Sequence, residues 1–116
     1  MTVFPQLALV VEDDLLQREA LCELLSGENM DVIQCESAEA GELVLAKVGP
    51  DLAVLVTDVK LAGHMTGLEL AEFALERFPK LKVVIISGQE DLSIPPGARF
   101  LRKPWQPLDM LRETMC

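Results

Sequence analysis

The stretch Leu-Ala-Val-Leu-Val-Thr-Asp at residues 52–58 decides the fold of this chain. Five consecutive apolar residues, with no polar residue alternating between them, are typical of a parallel strand that helices cover on both faces. A second run of the same form lies at residues 7–11, and a run of four apolar residues follows Lys82, at residues 83–86. Because segments with helical spacing separate the runs, the sequence predicts repeated βα units and therefore a doubly wound parallel sheet.

Predicted strands and helices alternate along the chain. Strands are predicted at residues 6–11, 30–35, 52–57, 81–87 and 99–102. Helices are predicted at residues 15–26, from 38 to the Gly49-Pro50 pair, at 67–78 and at 107–115, with Asp14 and Ser37 as N-caps and Pro107 in the last helix's first turn. In the first helix Leu16, Ala20, Leu21, Leu24 and Leu25 recur at helical spacing, as is typical of an apolar helix face, and we expect the second helix to turn Leu43, Val44 and Val48 inward.

The segment between the fourth and fifth strands breaks the alternation. Residues 88–99 are too few for a regular helix and contain Pro95-Pro96, which a helix does not accommodate. We expect at most one helical turn there, followed by an extended segment. The fourth helix of a regular alternating pattern is therefore predicted to be truncated or missing.

Length and composition limit the classes of function. The 116 residues fit one domain, residues 1–116, and half of them are hydrophobic. The net charge of −9 disfavours binding to nucleic acid or to an anionic membrane, and suits a divalent cation. No run approaches the roughly 20 apolar residues of a membrane span, and no leader pattern is recognisable, so we expect a cytoplasmic protein. The three cysteines form no CxxC pair, and Cys22 and Cys35 read as small buried apolar residues.

Acidic residues follow two of the predicted strands. Glu12 and Asp13 follow the first strand, and Asp58 follows the third. The carboxyl ends of parallel strands share one edge of the sheet, where open α/β sheets bind their ligands. Clustered carboxylates repel one another, and a hard cation such as Mg²⁺ prefers oxygen ligands, so these residues are candidate metal ligands. The competing interpretation, a solvated helix cap, is preferred for Asp14.

A lysine and a serine lie at the ends of two further predicted strands, the fifth and the fourth. Lys103 comes before Pro104 at the end of the fifth strand, and Ser87 ends the fourth. An ammonium and a hydroxyl both suit an anion placed beside a cation, and Gly88 leaves room for one to approach. Taken alone, Lys103 is more typical of an ordinary surface turn before proline, and Ser87 is also a common residue at strand ends; the position of Lys103 at a strand end on the same crevice favours the functional interpretation.

Together these residues carry a resemblance to a known family. The chain resembles the receiver domain of bacterial two-component response regulators, which has a CheY-like, flavodoxin-like fold, and the resemblance covers essentially all of the chain. Asp13 lies 45 residues before Asp58 (58 − 13 = 45), and Lys103 lies 45 residues after it (103 − 58 = 45). The motifs that carry the resemblance are Glu12-Asp13, Asp58, Ser87, Phe100 and Lys103-Pro104.

The resemblance implies a five-stranded sheet in the order 2-1-3-4-5 and a phosphorelay function. Asp58 would accept a phosphoryl group from a histidine kinase or a histidine phosphotransfer protein and then switch the conformation of the domain. Mg²⁺ would be held by Asp13, Asp58 and the backbone carbonyl of Lys60, with Glu12 acting through water. Lys103 and Ser87 would contact the phosphoryl group, and Phe100 would follow Ser87 as the aromatic switch residue.

Two departures from the family pattern concern the loops beside this site. Ala62 stands where the family usually has proline, and one extra residue precedes Gly67. Gly63 would relieve the tighter path, and His64 is expected to be an exposed loop residue. The shortened segment before the fifth strand removes part of the family's usual output surface, which leaves the oligomeric state and the output open.

Other functions on the same fold are weighed against this one. An aspartyl phosphatase usually has a second carboxylate two residues after its nucleophile, but Lys60 follows Asp58 and Leu15 follows Asp13 at that distance. A degenerate receiver that only docks proteins would not need the complete site set. A flavin-binding protein would need a phosphate-binding loop rich in Ser, Thr and Gly after the first strand. Leu15 and Leu16 are compatible with exposure for kinase docking or with burial.

Overall fold

The computed structural model describes residues 5–115. The strands are β1 Gln6–Val11, β2 Met30–Cys35, β3 Leu52–Asp58, β4 Lys82–Ser87 and β5 Ala98–Arg102. The helices are α1 Leu15–Ser26, α2 Ala38–Val48, α3 Gly67–Arg77 and α4 Pro107–Met115, with a short 3₁₀ turn at Gly49–Asp51. Each predicted boundary lies within one residue of the observed one, and helix and strand ends commonly differ by that much.

The five strands form one parallel sheet in the order β2-β1-β3-β4-β5, as predicted. Strand β3 is central and pairs with β1 and β4, so Asp58 lies between the ends of both neighbours. Since all strands point the same way, the residues that follow them meet at one edge. This placement of the site follows directly from the topology.

Alternate side chains of the central strands enter two separate cores. Leu9, Val11 and Leu55 face the core beneath α2 and α3. Ala8 and Val54 face the core beneath α1 and α4. Because successive residues of a strand point to opposite faces, an uninterrupted apolar run fills both cores, which explains the pattern seen in residues 52–56.

Side-chain caps fix where the helices begin. The side chains of Asp14 and Ser37 accept hydrogen bonds from the backbone N–H groups of Gln17 and Ala40, as predicted for N-caps. Thr66 caps α3 in a capping box with Glu69, which the sequence analysis did not identify. Such caps satisfy N–H groups that would otherwise lack a partner in the first helical turn.

The expected inward faces of α1 and α2 are wrong at Ala20 and at Leu43: Ala20 is exposed, and Leu43 is 69% exposed. Leu16, whose exposure the sequence left open, is 76% exposed. The buried stripe of α1 instead contains Arg18, Leu21, Cys22 and Leu25, at spacings of three or four residues. On α2, Gly41 and Leu45 face the core, and Leu43 lies two positions from each, on the opposite side of a helix that turns 100° per residue.

No helix forms between β4 and β5 in this described segment, in agreement with the prediction. Leu92 and Ile94 pack against the core on the α3 side, in the space that a helix would cover. Gly97 has φ = +94°, a conformation that glycine adopts readily, and it begins the turn into β5.

Cys22 and Cys35 are buried free thiols, as predicted, and burial raises the pKa of both. Cys116, the third cysteine, lies outside the described residues. Within residues 5–115, each helix is too short or too polar to cross a bilayer.

Candidate functional site

Three carboxylates meet at the carboxyl edge of the sheet. One oxygen from each of Glu12, Asp13 and Asp58 lies within 4.8 Å of the others. Glu12 and Asp58 are buried, whereas Asp13 is exposed. The structure therefore brings together all three acidic residues that the sequence nominated.

Lys103 supplies the positive charge of this cluster. Its Nζ lies 2.6 Å from Oδ2 of Asp58 and 3.7 Å from Oε2 of Glu12. The Lys103-Pro104 peptide bond is cis, and the Lys103 backbone N–H donates to the Ser87 carbonyl at 2.9 Å. The end of β5 is thereby tied to the end of β4, which fixes where the ammonium enters the cluster.

Glu12 is the most strongly perturbed group of the cluster. Its pKa is raised from 4.5 to about 7, and the largest cause is burial. The second cause is Asp58, which accepts a hydrogen bond from protonated Glu12 and whose negative charge disfavours a second charge beside it. Its Oε1 accepts only a long bond of 3.4 Å from the Asp14 N–H, and no residue within 5–115 donates a hydrogen bond to its buried Oε2. A buried carboxylate oxygen without a donor, in an all-oxygen set, fits a hard divalent cation and its water ligands.

The backbone around Asp58 is closely restrained. Its Oδ1 accepts from the Val59 N–H at 2.7 Å, and its carbonyl accepts from the Thr57 hydroxyl at 2.9 Å. Gly67, the first residue of α3, packs so tightly against this segment that a Cβ there would lie 1.7 Å from the Asp58 carbonyl oxygen. Only glycine permits this approach, which holds the start of α3 against the site.

A crevice of about 360 Å³ opens over Asp58. Its other lining residues are Lys60, Ser87, Gly88, Gln89 and Lys103. Ser87 is buried, and its hydroxyl oxygen accepts the Gln89 N–H at 3.0 Å, so its own proton remains available for donation. The crevice is therefore lined by the Asp58 carboxylate, the Lys103 ammonium and the Ser87 hydroxyl.

The remaining predicted residues lie around this crevice. Lys60 has an exposed side chain on its rim. Phe100 is half-buried against the core on the α3 side. His64 is exposed in the β3–α3 loop, as expected, and does not line the crevice. Leu15, whose exposure the sequence left open, is 55% exposed.

The sequence did not indicate the contacts that two residues make beside the site. Arg18 is buried, and its Nη1 donates to the Glu12 carbonyl at 2.8 Å. The sequence signal for its burial was its spacing: it lies three, four and seven residues before Leu21, Cys22 and Leu25. Glu39 accepts hydrogen bonds from the backbone of the β3–α3 loop, a contact that no periodicity would indicate.

Comparison with known proteins decides the family. The sequence model described as "Response regulator receiver domain" matches residues 8–113. This chain belongs to the response regulator receiver family. The receiver domain is 33% identical over 102 residues to the transcriptional regulatory protein FixJ of Azorhizobium caulinodans, covering 83% of this chain and 47% of FixJ. It is also 30% identical over 110 residues to a cyclic di-GMP phosphodiesterase of Thermotoga maritima, covering 90% of this chain and 28% of that protein.

Solved structures of receiver domains have the same fold. A CheY-like receiver domain from Methanospirillum hungatei JF-1 has 28% identity and a TM-score of 0.81, over 94% of this chain and 90% of that one. A receiver protein from Sinorhizobium medicae WSM419 shares the fold, with 22% identity and a TM-score of 0.85 over 96% of this chain and 92% of that one. The receiver domain spans less than half the length of both curated relatives named above.

Proposed function

We propose that this receiver domain accepts a phosphoryl group on Asp58 from a histidine kinase or a histidine phosphotransfer protein, in a Mg²⁺-dependent reaction. The observation that carries the proposal is the position of Asp58 between two further carboxylates and the Lys103 ammonium, 2.6 Å away. Phosphoryl transfer depends mainly on positioning and on neutralising charge, and this crevice offers both.

The proposed reaction is a single displacement at phosphorus. A carboxylate oxygen of Asp58 forms the new P–O bond while the P–N bond to the donor histidine breaks, and the electron pair of that bond returns to the imidazole nitrogen. Lys103 is placed to leave its ion pair with Asp58 and to pair with the phosphoryl oxygens. The product is an acyl phosphate, which water hydrolyses to restore Asp58.

A divalent cation fits the acidic side of the crevice. Asp13, Asp58 and the backbone carbonyl of Lys60 would hold Mg²⁺ directly, and Glu12 would act through a water ligand. When bound, the ion supplies positive charge for the transferred phosphoryl oxygens. The orphaned Oε2 of Glu12 supports this assignment, because a metal-bound water is a donor that it lacks among the described residues.

Ser87 and Phe100 would convert the chemical change into a conformational one. A phosphoryl group on Asp58 offers the Ser87 proton a charged acceptor, which favours movement of β4's end toward it. Ser87 binds both Gln89 and the Lys103 backbone, so such a movement would extend into segment 88–97 and into β5, which carries Phe100. Unphosphorylated and phosphorylated states would then differ in the surface formed by that segment.

The domain would act as a signalling switch that catalyses only its own phosphorylation and dephosphorylation. A net charge of −9 supports protein partners rather than direct contact with nucleic acid or anionic membranes. We assign residues 1–116 to this one domain and place it in the cytoplasm, where a kinase could reach it. Since relatives carry different outputs, the output of this protein is not assigned.

The experiment is intact-mass measurement after incubation with acetyl phosphate and Mg²⁺. One phosphoryl adduct is expected for the wild type, and none for Asp58→Ala or for the wild type with excess chelator. An equal adduct on Asp58→Ala would refute the assignment of the acceptor. A wild type that takes no phosphoryl group would instead favour the alternative, a degenerate receiver that serves only as a docking module.

A further inference from the structure

The loop that follows Asp58 borders the proposed phosphorylation site. Residues 59–66 join β3 to α3 and include Lys60 on the crevice rim. Ordering the backbone of a loop costs conformational entropy, so the contacts that restrain these residues also fix where the Lys60 backbone lies.

Glu39, in the first turn of α2, binds this loop directly. Its Oε2 accepts the backbone N–H of His64 at 2.8 Å and that of Met65 at 3.2 Å. Two successive N–H groups that converge on one oxygen form a small anion-binding nest. A surface carboxylate thus holds two residues of the loop at once.

The loop is shaped around that carboxylate. Gly63 has φ = +96°, and a Cβ on it would lie 2.7 Å from Oε1 of Glu39. On one side of the nest Ala62 pairs with Ser37 in an isolated bridge, and on the other Thr66 donates its backbone N–H to Glu69. The Glu39 contacts therefore lie between two further restraints, at Ala62 and at Thr66.

The charged form of Glu39 suits this role. The hydrogen bond from the His64 backbone, and more weakly the bond from Met65 and the charge of His64, hold the Glu39 pKa below its ordinary value. The side chain lies outside the acidic cluster, so its charge is not required by the cation site itself. Its contacts are with the loop alone.

We propose that Glu39 is a positioning residue of the phosphorylation site. By accepting hydrogen bonds from the His64 and Met65 N–H groups, a pair of contacts that we call the clasp, it holds the β3–α3 loop so that the Lys60 backbone lies at the crevice. This inference rests on the proposed function, because it assigns the Lys60 carbonyl to the cation. The clasp makes Mg²⁺ binding depend on a side chain of α2.

The test compares Mg²⁺ binding of the wild type with that of Glu39→Ala, Glu39→Asp and Glu39→Gln. Mg²⁺ is titrated without a phosphodonor and followed by amide chemical shifts in NMR spectra. Loss of an outer partner of a metal ligand typically weakens binding about tenfold or more, and we expect a loss of about three- to tenfold for Ala and for Asp, whose shorter side chain cannot reach both donors. Gln keeps an acceptor oxygen and should lose less.

A second readout separates positioning from a purely structural role. Phosphorylation by acetyl phosphate should slow in Glu39→Ala at low Mg²⁺ and recover to the wild-type rate at saturating Mg²⁺. Glu42→Ala is the matched control, because Glu42 lies on the same helix and its side chain forms no hydrogen bond or ion pair with a described residue. It should bind Mg²⁺ as the wild type does.

The outcomes distinguish this inference from the proposed function. Unchanged Mg²⁺ affinity in all folded Glu39 variants, with shifted His64 and Met65 amide signals showing that the clasp is gone, would overturn it. So would a slower rate that saturating Mg²⁺ does not restore. If the wild type binds Mg²⁺ but takes no phosphoryl group, the proposed function fails while the titration still tests the clasp. Should Glu39→Ala unfold, the Asp and Gln variants carry the same comparison.

Discussion

Lys103 Nζ and Asp58 Oδ2 lie 2.6 Å apart although 45 residues separate them in the chain. The contact joins the end of the central strand to the end of the edge strand β5. It also leaves Lys103 only 3.7 Å from Glu12, so a single ammonium lies beside two buried carboxyl groups. Of the two, Glu12 lies farther from the ammonium, and its pKa is raised.

Replacing Lys103 tests the role of that ammonium in the transfer step. Lys103→Met keeps most of the side chain's length but removes the charge that would meet the phosphoryl oxygens. We expect the rate of adduct formation with acetyl phosphate to fall by about 100-fold, as for other lost electrostatic contacts to a transition state. Time-resolved intact-mass spectra measure the rate. Lys80→Met, at an exposed turn before β4, is the control, and an equal loss there would contradict the account.

The raised pKa of Glu12 predicts how stability depends on pH without metal. The folded protein holds the Glu12 proton up to about pH 7, whereas the unfolded chain releases it near 4.5. The folded state therefore binds more protons between these values, and its stability falls as pH rises through that window. Urea midpoints with chelator at pH 5, 6, 7 and 8 should decrease, and the decrease should be smaller in Glu12→Gln.

The affinity for Mg²⁺ should depend on pH in the opposite direction to the stability of the metal-free protein. A cation competes with the proton on Glu12, so Mg²⁺ affinity should increase between pH 6 and pH 8. NMR titrations at the two pH values measure the change in the wild type. An equally large increase in Glu12→Gln would show that another group is responsible.

Gly67 tests the tight packing of α3 on the site. The Cβ of Gly67→Ala would collide with the Asp58 carbonyl, and both groups belong to restrained backbone. We expect a loss of about 1–3 kcal/mol in the free energy of unfolding, with a displaced site. Gly88→Ala is the matched control for stability, because its Cβ would meet no atom within 4 Å, and it should change stability by less than about 0.5 kcal/mol. Chemical denaturation measures both variants.

Arg18 tests whether the backbone beneath the acidic pair needs its buried partner. Arg18→Met would leave the Glu12 carbonyl without the 2.8 Å donor, and an unsatisfied buried acceptor costs about 1–3 kcal/mol. Urea denaturation should show a loss of that order, and exposed Arg112→Met should show little. Equal stability of the two variants would mean that water replaces the guanidinium without cost.

The sheet could be predicted from the sequence because each strand is indicated by a run of apolar residues within one short segment. Apolar runs such as residues 52–56 need cover on both faces, and a parallel arrangement then places Asp13, Asp58 and Lys103 at one edge whatever the details of the loops. Capping by Asp14 and Ser37 was predictable for the same reason, since each cap bonds within its own first turn.

What the sequence did not reveal depends on contacts between distant segments. Leu43 was assigned to the core because it is apolar, but Gly41 and Leu45 determine which face of α2 packs inward. The burial of Arg18 requires the Glu12 carbonyl as a partner. The contact of Glu39 with the His64 backbone depends on the path of the loop, which side-chain periodicity does not encode.

The most direct test of the central claim is to locate the phosphoryl group chemically. Borohydride reduces an aspartyl phosphate to homoserine, which peptide sequencing by mass spectrometry assigns to one position. After treatment with acetyl phosphate and Mg²⁺, we predict homoserine at residue 58 and at no other acidic residue. Homoserine at Asp13 or elsewhere, or a phosphorylated protein with Asp58 unmodified, would contradict it.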